Sequence, residues 1–207
     1  MLDRPVRRLI DPWLEYPAKL LFRCGVSATA ITGTGFVVGM LGCAALAWRY
    51  YAIALVCVLL NRLADGLDGM VARRKGSTDA GGFLDIVLDT IFYSAVPLGF
   101  AVGEPQVLLP AIFLVQSFMG TTSSFLAFAI VSAKRGVTAG WGGAKSFYYH
   151  VGLMEGTETV LFLTAFCLFP SRFALLAWTF GSLCWLTTAI RIITALLVFR
   201  TEEKSKN

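Results

Sequence analysis

Apolar residues run in long blocks along this chain, separated by short polar clusters. The blocks fall at residues 28–47, 51–71, 83–100, 107–132, 157–169 and 173–199, most of them near the roughly 20 residues that an α-helix needs to cross a bilayer. The fifth is short, and reaches full length only if it begins near Val151 or tilts. Residues 4–22 read differently, with Leu9, Ile10, Trp13, Leu14, Leu20, Leu21 and Phe22 set among charges. That pattern suits a helix lying in the headgroup boundary, bent at Pro12 and Pro17. The prediction is an all-α membrane protein with six transmembrane helices preceded by an interfacial amphipathic helix. Its parts are an amphipathic segment at 1–27, a transmembrane domain at 28–199 and a tail at 200–207.

Composition strengthens the membrane reading. Of 207 residues 57% are hydrophobic and only 15% charged, with a mean hydropathy of +0.70. A soluble domain carries about a quarter charged residues. No cleavable signal peptide is expected, because Asp3, Arg4, Arg7, Arg8, Asp11, Glu15 and Lys19 interrupt the first apolar residues. Cys24, Cys43, Cys57, Cys167 and Cys184 lack paired ligand spacing and read as buried, inert thiols. Basic residues are one-sided. Arg4, Arg7, Arg8, Lys19 and Arg23 precede the first block; Arg73, Arg74 and Lys75 follow the second, Lys134, Arg135 and Lys145 the fourth, and Arg200, Lys204 and Lys206 the sixth. Only Arg49 and Arg172 lie in the opposite connections. The positive-inside rule then puts both termini in the cytoplasm, at an inner (plasma) membrane. The net charge of +5 needs no nucleic acid, because an anionic inner leaflet accounts for it.

Four carboxylates break the apolar pattern: Asp65, Asp68, Asp85 and Asp89. Acids beside hydrocarbon are expensive, so four together call for a strong local cation. A divalent metal held by oxygen ligands is the natural one. On a helix, Asp65, Asp68 and Ala72 share one stripe with Gly69 and Arg73 on the next, all within an arc of roughly 140°. Asp85 and Asp89 lie one turn apart on the following helix, with Gly81 one turn earlier. Two antiparallel helices can thus close four carboxylates around metal. Gly69 and Gly81 admit a bulky ligand to the backbone, and Arg73 offers a planar fork to phosphate. Helix-end acids with small packing residues would not explain four in-phase acids beside Arg73. An ion-coupled membrane transporter, the competing class, leaves Gly69, Ala72 and Arg73 without a reason at their offsets.

These residues fill every position of D-x2-D-G-x2-A-R-x7-8-G-x3-D-x3-D, and the chain resembles the CDP-alcohol phosphotransferase (phosphatidyltransferase) family throughout its length, in particular small bacterial inner-membrane members. The resemblance implies transfer of a phosphatidyl group from CDP-diacylglycerol to an alcohol acceptor, with release of CMP, by a homodimer in lipid. It implies two divalent ions, Mg2+ or Mn2+, held by Asp65, Asp68, Asp85 and Asp89, with Asp89 as general base. The CDP-lipid would lie against Asp65, Asp68, Gly69, Ala72, Arg73 and Gly81. One departure is the stretch from Gly25 to Thr32, which lacks the proline of the T-P-N-x-[VL]-T run that relatives often carry, so Ser27 and Thr29 are not assigned to the nucleotide.

Arg62 lies one turn before Asp65 on the same face, either as an ion pair offsetting the acids or as a contact to lipid phosphate or acceptor. Asn61 beside it is a polar ligand or a helix contact. Glu155 and Glu158 suit a helix N-terminus, and a pair of either with Arg191 competes with a role in the acceptor pocket. Lys134 and Arg135 are topology determinants or recruit an anionic acceptor. His150, the only histidine, reads as interfacial beside Tyr148 and Tyr149, and Ser77, Thr78 and Asp79 as a helix cap. The acceptor is the open point. Relatives using glycerol phosphate often show D-P-x-x-D-K where this chain has Asp85-Ile86-Val87-Leu88-Asp89-Thr90. Relatives using inositol phosphate often carry arginines where this chain has acids around Gly156. The run from Asp89 through Tyr93 and Ser94 to Pro97 resembles the phosphatidylserine-synthase pattern, which tilts toward a small hydroxyl or amino-alcohol acceptor. A phosphatidylglycerophosphate-type synthase is the alternative.

Overall fold

The computed structural model describes residues 3–135, 154 and 156–204, with side chains for 9–135, 154 and 156–199. Among the described residues every regular element is a helix: α1 (Asp3–Arg23), α2 (Ala28–Ala47), α3 (Tyr51–Lys75), α4 (Asp79–Gly103), α5 (Leu108–Lys134), α6 (Gly156–Leu168) and α7 (Phe173–Lys204). Short 3₁₀ turns at Pro105–Val107 and Pro170–Arg172 lead into α5 and α7. Each of the six expected apolar blocks is therefore helical. Among the described residues four segments are long and apolar enough to cross a membrane: Ala28–Ala47, Asp79–Gly103, Pro105–Lys134 and Pro170–Phe199. Helix α6 is apolar but has 13 residues. Helix α3 has 25 residues, but its length includes Arg62, Asp65, Asp68 and a basic last turn. The third block begins its helix at Asp79 rather than Phe83, and α7 continues past Phe199 into the expected tail.

Local signals place the helix ends. Ser27 and Thr78 cap α2 and α4, accepting hydrogen bonds from the amides of Ala30 and Gly81, both at 3.1 Å. Gly76 ends α3 at φ 96°, a conformation that side chains resist. At the other end of α3, Arg49 adopts φ 62° and its Nε donates to the Gly103 carbonyl at 2.8 Å.

Helix α2 packs most extensively, against α3 and α4. Its glycines make that possible: a Cβ on Gly35 or Gly42 would come within 2.6 Å of Ala64 Cβ or 2.7 Å of Cys57 Cβ, and one on Gly39 within 2.7 Å of the Phe92 ring. Close backbone approach of this kind supplies the van der Waals contact on which helix association in lipid depends. An aromatic core ties α4, α6 and α7 together. Phe100 stacks on Phe173 at 4.2 Å and Phe162 on Phe180 at 4.3 Å, with Phe92, Phe100, Phe166, Phe173 and Phe180 fully buried. Cys43, Cys167 and Cys184 are buried as expected, whereas Cys57 is half-buried and Cys24 exposed.

Helix α1 continues through Pro12 and Pro17. It buries Leu14 and Ala18 on the α3 side, where Leu14 meets Gly66, while Leu9, Trp13, Tyr16 and Leu20 face outward. Trp13 is 82% exposed. Glu15 joins the two helices, 2.7 Å from Lys19 and 3.6 Å from Arg74. The Lys19 hydrogen bond and charge, with Arg74 adding, hold the Glu15 carboxyl below its ordinary value.

Candidate functional site

Asp65 and Asp68 occupy the C-terminal half of α3, and Asp85 and Asp89 the N-terminal half of α4. The glycine-lined seat of α2 between these two helices completes the site from a third side. The cleft so formed, about 10 Å³, is lined by Thr32, Asn61, Arg62 and all four aspartates, among others.

Three of the four carboxylates converge. One oxygen each of Asp65, Asp68 and Asp85 lies within 4.8 Å of the others, close enough to hold one cation. At that separation each pair of charges repels by roughly 3 kcal/mol at an effective dielectric of about 20. One further observation fits a cation: Asp85 Oδ1 is buried with no hydrogen-bond partner. A buried polar atom left alone is costly, and oxygen donors of this kind suit Mg2+ or Mn2+. Asp68 is only 6% exposed, and Thr32 donates to its Oδ2 at 2.6 Å. Thr32 therefore orients Asp68 from α2, a role sequence reasoning missed. The threonine stood in the stretch from Gly25 to Thr32 that was read only for its missing proline.

Asp89 lines the same cleft. Arg62 grips it at both oxygens, Nη2 to Oδ1 at 2.6 Å and Nη1 to Oδ2 at 3.2 Å, while its nearest approach to Asp65 is 3.8 Å. Arg62 is thus ion-paired with Asp89. Asn61 is a helix contact: its Nδ2 donates to the Gly35 carbonyl at 2.9 Å and its Oδ1 accepts from Arg62. Tyr93, not anticipated as a site residue, accepts from Arg62 Nη1 through its hydroxyl.

Gly69 and Ala72 line the last turns of α3 together with Arg73, and Gly81 lies in the capped first turn of α4. Arg73 and Arg74 line an open cleft of about 420 Å³ with Met70 and, from α1, Asp11, Pro12 and Glu15. The other expected cations are dispersed. Arg191 donates to the Thr121 carbonyl at 2.9 Å and lies over Phe125, and Arg135 donates to the Phe199 carbonyl at 3.1 Å. Lys134 is exposed in the last turn of α5. Glu158 is buried in the first turn of α6; Glu155, Lys145, Tyr148, Tyr149 and His150 lie outside the described residues. Beside the Asp89 turn is a cavity of about 120 Å³ lined by Thr90, Tyr93, Thr121, Thr122 and Thr159, with Phe118, Met154 and Cys184.

Fold and site together define a helical membrane protein that gathers carboxylates between three of its helices. Residues 26–199 match the model of the CDP-alcohol phosphatidyltransferase family, and the chain belongs to that family. It is a transferase of that type. Inner membrane protein YnjF of Escherichia coli (strain K12) is 47% identical over 205 residues, covering 99% of this chain and 100% of that one. An archaetidylinositol phosphate synthase of Methanothermobacter thermautotrophicus is 34% identical over 116 residues, 55% of this chain and 56% of its own. Among solved structures, Mycobacterium tuberculosis phosphatidylinositol phosphate synthase with CDP-DAG bound aligns with a TM-score of 0.64 at 21% identity, over 88% of this chain and 92% of that one. The same enzyme in complex with manganese and citrate aligns with a TM-score of 0.63 at 20% identity, covering 88% of each chain.

Proposed function

We propose that this transferase moves a phosphatidyl group from CDP-diacylglycerol to a small, non-phosphorylated hydroxyl or amino-alcohol acceptor, releasing CMP. The observation that carries the reading is the convergence of Asp65, Asp68 and Asp85, with the orphaned Asp85 Oδ1, in a cleft that Asp89 also lines. Asp65, Asp68, Asp85 and Asp89 would hold the divalent ions, Mg2+ or Mn2+, two by family resemblance. Bound there, such ions would neutralise diphosphate charge and stabilise the charge that develops on leaving CMP. Thr32 keeps Asp68 turned toward the cleft. Gly69, Ala72 and Gly81 leave room for the nucleotide, and Arg73 offers its fork to phosphate.

Asp89 accepts the proton of the acceptor hydroxyl as the oxygen of that alcohol bonds to the lipid-side phosphorus. The bond from that phosphorus to the bridging oxygen breaks, and CMP departs with the electron pair. The hydroxyl-lined cavity next to Asp89 supports a non-phosphorylated acceptor, since its described lining contains no Lys or Arg to meet a phosphate. The archaetidylinositol phosphate synthase match favours a second reading, an inositol phosphate acceptor. Purified protein with CDP-diacylglycerol, Mn2+ and a panel of serine, glycerol, ethanolamine, inositol phosphate and glycerol phosphate separates them. CMP release with a neutral alcohol or amino-alcohol is expected; release only with a phosphorylated acceptor would overturn the acceptor assignment.

Two further expectations belong to this reading. Thr32→Ala should weaken Mn2+ binding or turnover by about 10–100-fold, the usual cost of removing a group that orients a metal ligand; unchanged values would remove Thr32 from the site. The membrane arrangement is six spans with α1 on the surface and both termini cytoplasmic, supported by the distribution of Lys and Arg. Reporter fusions after Asn207 and at Glu104 should then report cytoplasm and outside, and one side for both excludes it. A homodimer follows from the family resemblance, and light scattering on the detergent-solubilised protein should give twice the chain mass.

A further inference from the structure

Two of the hydroxyls lining the cavity beside Asp89 are spent on their own helices. Thr90 Oγ1 donates to the Ile86 carbonyl at 2.8 Å, and Thr121 Oγ1 to the Phe118 carbonyl at 3.0 Å. A hydroxyl has one hydrogen and two lone pairs, so these two are left to accept from a ligand. Two others differ. The Tyr93 hydroxyl accepts from Arg62 Nη1, and among the described residues nothing takes its own hydrogen. Thr122 makes no side-chain hydrogen bond among the described residues. Tyr93 is also held in place, with the Arg62 guanidinium carbon 4.8 Å from its ring centre and the Phe118 ring tilted against it at 6.3 Å. A hydroxyl that accepts from a cation is polarised into a stronger donor. The described lining thus offers two donors, two acceptors and no charged side chain, with Phe118 and Met154 to meet carbon.

We propose that the acceptor is a short neutral polyol of the glycerol kind, and that Tyr93 and Thr122 select it by donating to the hydroxyl that does not react. This choice rests on the reading of Asp89 as proton acceptor. An ammonium brings three donors and no acceptor, so it leaves Tyr93 and Thr122 unmet. A carboxylate or phosphate brings acceptors alone and has no hydrogen to give Thr90 and Thr121. A polyol satisfies all four, and at about 120 Å³ the cavity is well below the roughly 300–1,000 Å³ of sites for drug-sized ligands, so the polyol is short. Thr90 follows Asp89 in the chain, which puts one end of a molecule seated here beside that carboxylate. The hydroxyl at that end gives its proton to Asp89 as its oxygen bonds to the lipid-side phosphorus, and CMP leaves with the electron pair of the bond that breaks. The second hydroxyl stays on Tyr93 and Thr122 and is unchanged in the product.

The test measures CMP release from CDP-diacylglycerol with Mn2+ in detergent for wild type, Tyr93→Phe and Thr122→Val. The acceptors are glycerol, 1-propanol, ethanolamine, serine, glycerol phosphate and inositol phosphate, and Mn2+ binding is followed by electron paramagnetic resonance. Wild type should favour glycerol over 1-propanol, ethanolamine and serine by about 10–100-fold in kcat/KM, the effect of leaving one or two hydrogen-bonding groups of a site unmet. Each variant should lose about 10-fold on glycerol, and with it most of the margin over 1-propanol, while the KM for CDP-diacylglycerol and the Mn2+ affinity stay unchanged. A structural role would lower all acceptors alike, so an unaltered ratio of glycerol to 1-propanol in either folded variant overturns the proposal. If Tyr93→Phe does not fold, Thr122→Val and the wild-type panel decide. Wild type that uses ethanolamine or serine as well as glycerol also overturns it, and leaves the wider assignment of a non-phosphorylated acceptor standing. Release only with a phosphorylated acceptor removes both. Wild type that binds Mn2+ but releases no CMP with any acceptor sinks the donor reading itself, and this proposal with it.

Discussion

Asp68→Asn is expected to abolish CMP release while the protein still inserts, purifies and keeps its helical content. The substitution preserves volume in a side chain that is 6% exposed and packed against Thr32, so the bundle has no steric reason to change. What it removes is one of three negative charges gathered within 4.8 Å. A neutral amide is a weak ligand for a hard cation, and loss of a direct ligand should exceed the roughly 10–100-fold cost of disturbing its surroundings. Asp65→Asn and Asp85→Asn should behave alike. EDTA should reproduce the effect in wild type, and added Mn2+ or Mg2+ should reverse it. Full activity in EDTA, or normal turnover by Asp68→Asn, would show that the three acids do not act through a metal.

Asp89→Asn is expected to separate turnover from binding. Arg62 pairs with this carboxylate, and Asp65, Asp68 and Asp85 converge without it, so its substitution should leave Mn2+ and CDP-diacylglycerol affinity in place. Turnover should fall by about 10²–10⁴-fold, the usual contribution of a general base. Rapid-mixing assays of CMP release together with Mn2+ titration distinguish the outcomes. Normal turnover excludes the base role, and a loss explained wholly by weaker metal binding makes Asp89 a ligand alone.

Much of this was legible in the chain because membrane helices are written in composition. Twenty apolar residues in a row have few other uses, and Thr78 announces the start of α4 through a side chain that bonds a neighbouring amide. The aspartates were legible for the same reason: a three- or four-residue spacing fixes which side chains share a helix face before any tertiary contact forms. Belonging to the CDP-alcohol phosphatidyltransferase family follows from that motif, and the match over residues 26–199 shows it. The weaker expectations were those that depended on length alone. Helix α4 starts four residues before its apolar block because the Thr78 cap, rather than hydropathy, sets where the backbone turns helical.

What the sequence by itself determined is the helical segments and the four acids in phase, since both are local periodicities. Only the tertiary structure decided how those acids divide. Asp85 and Asp89 are equivalent by spacing, one turn apart on α4. Yet Asp85 joins Asp65 and Asp68 with a bare buried oxygen, and Asp89 goes to Arg62. The partners that separate them come from elsewhere in the chain. Thr32 arrives on α2, which reaches α3 and α4 closely because Gly35, Gly39 and Gly42 carry no side chains, and Asn61 is pinned by the Gly35 carbonyl of that same helix. No periodicity within α3 or α4 encodes those contacts, because the direction in which a carboxylate turns is set by the donors that packing brings to it.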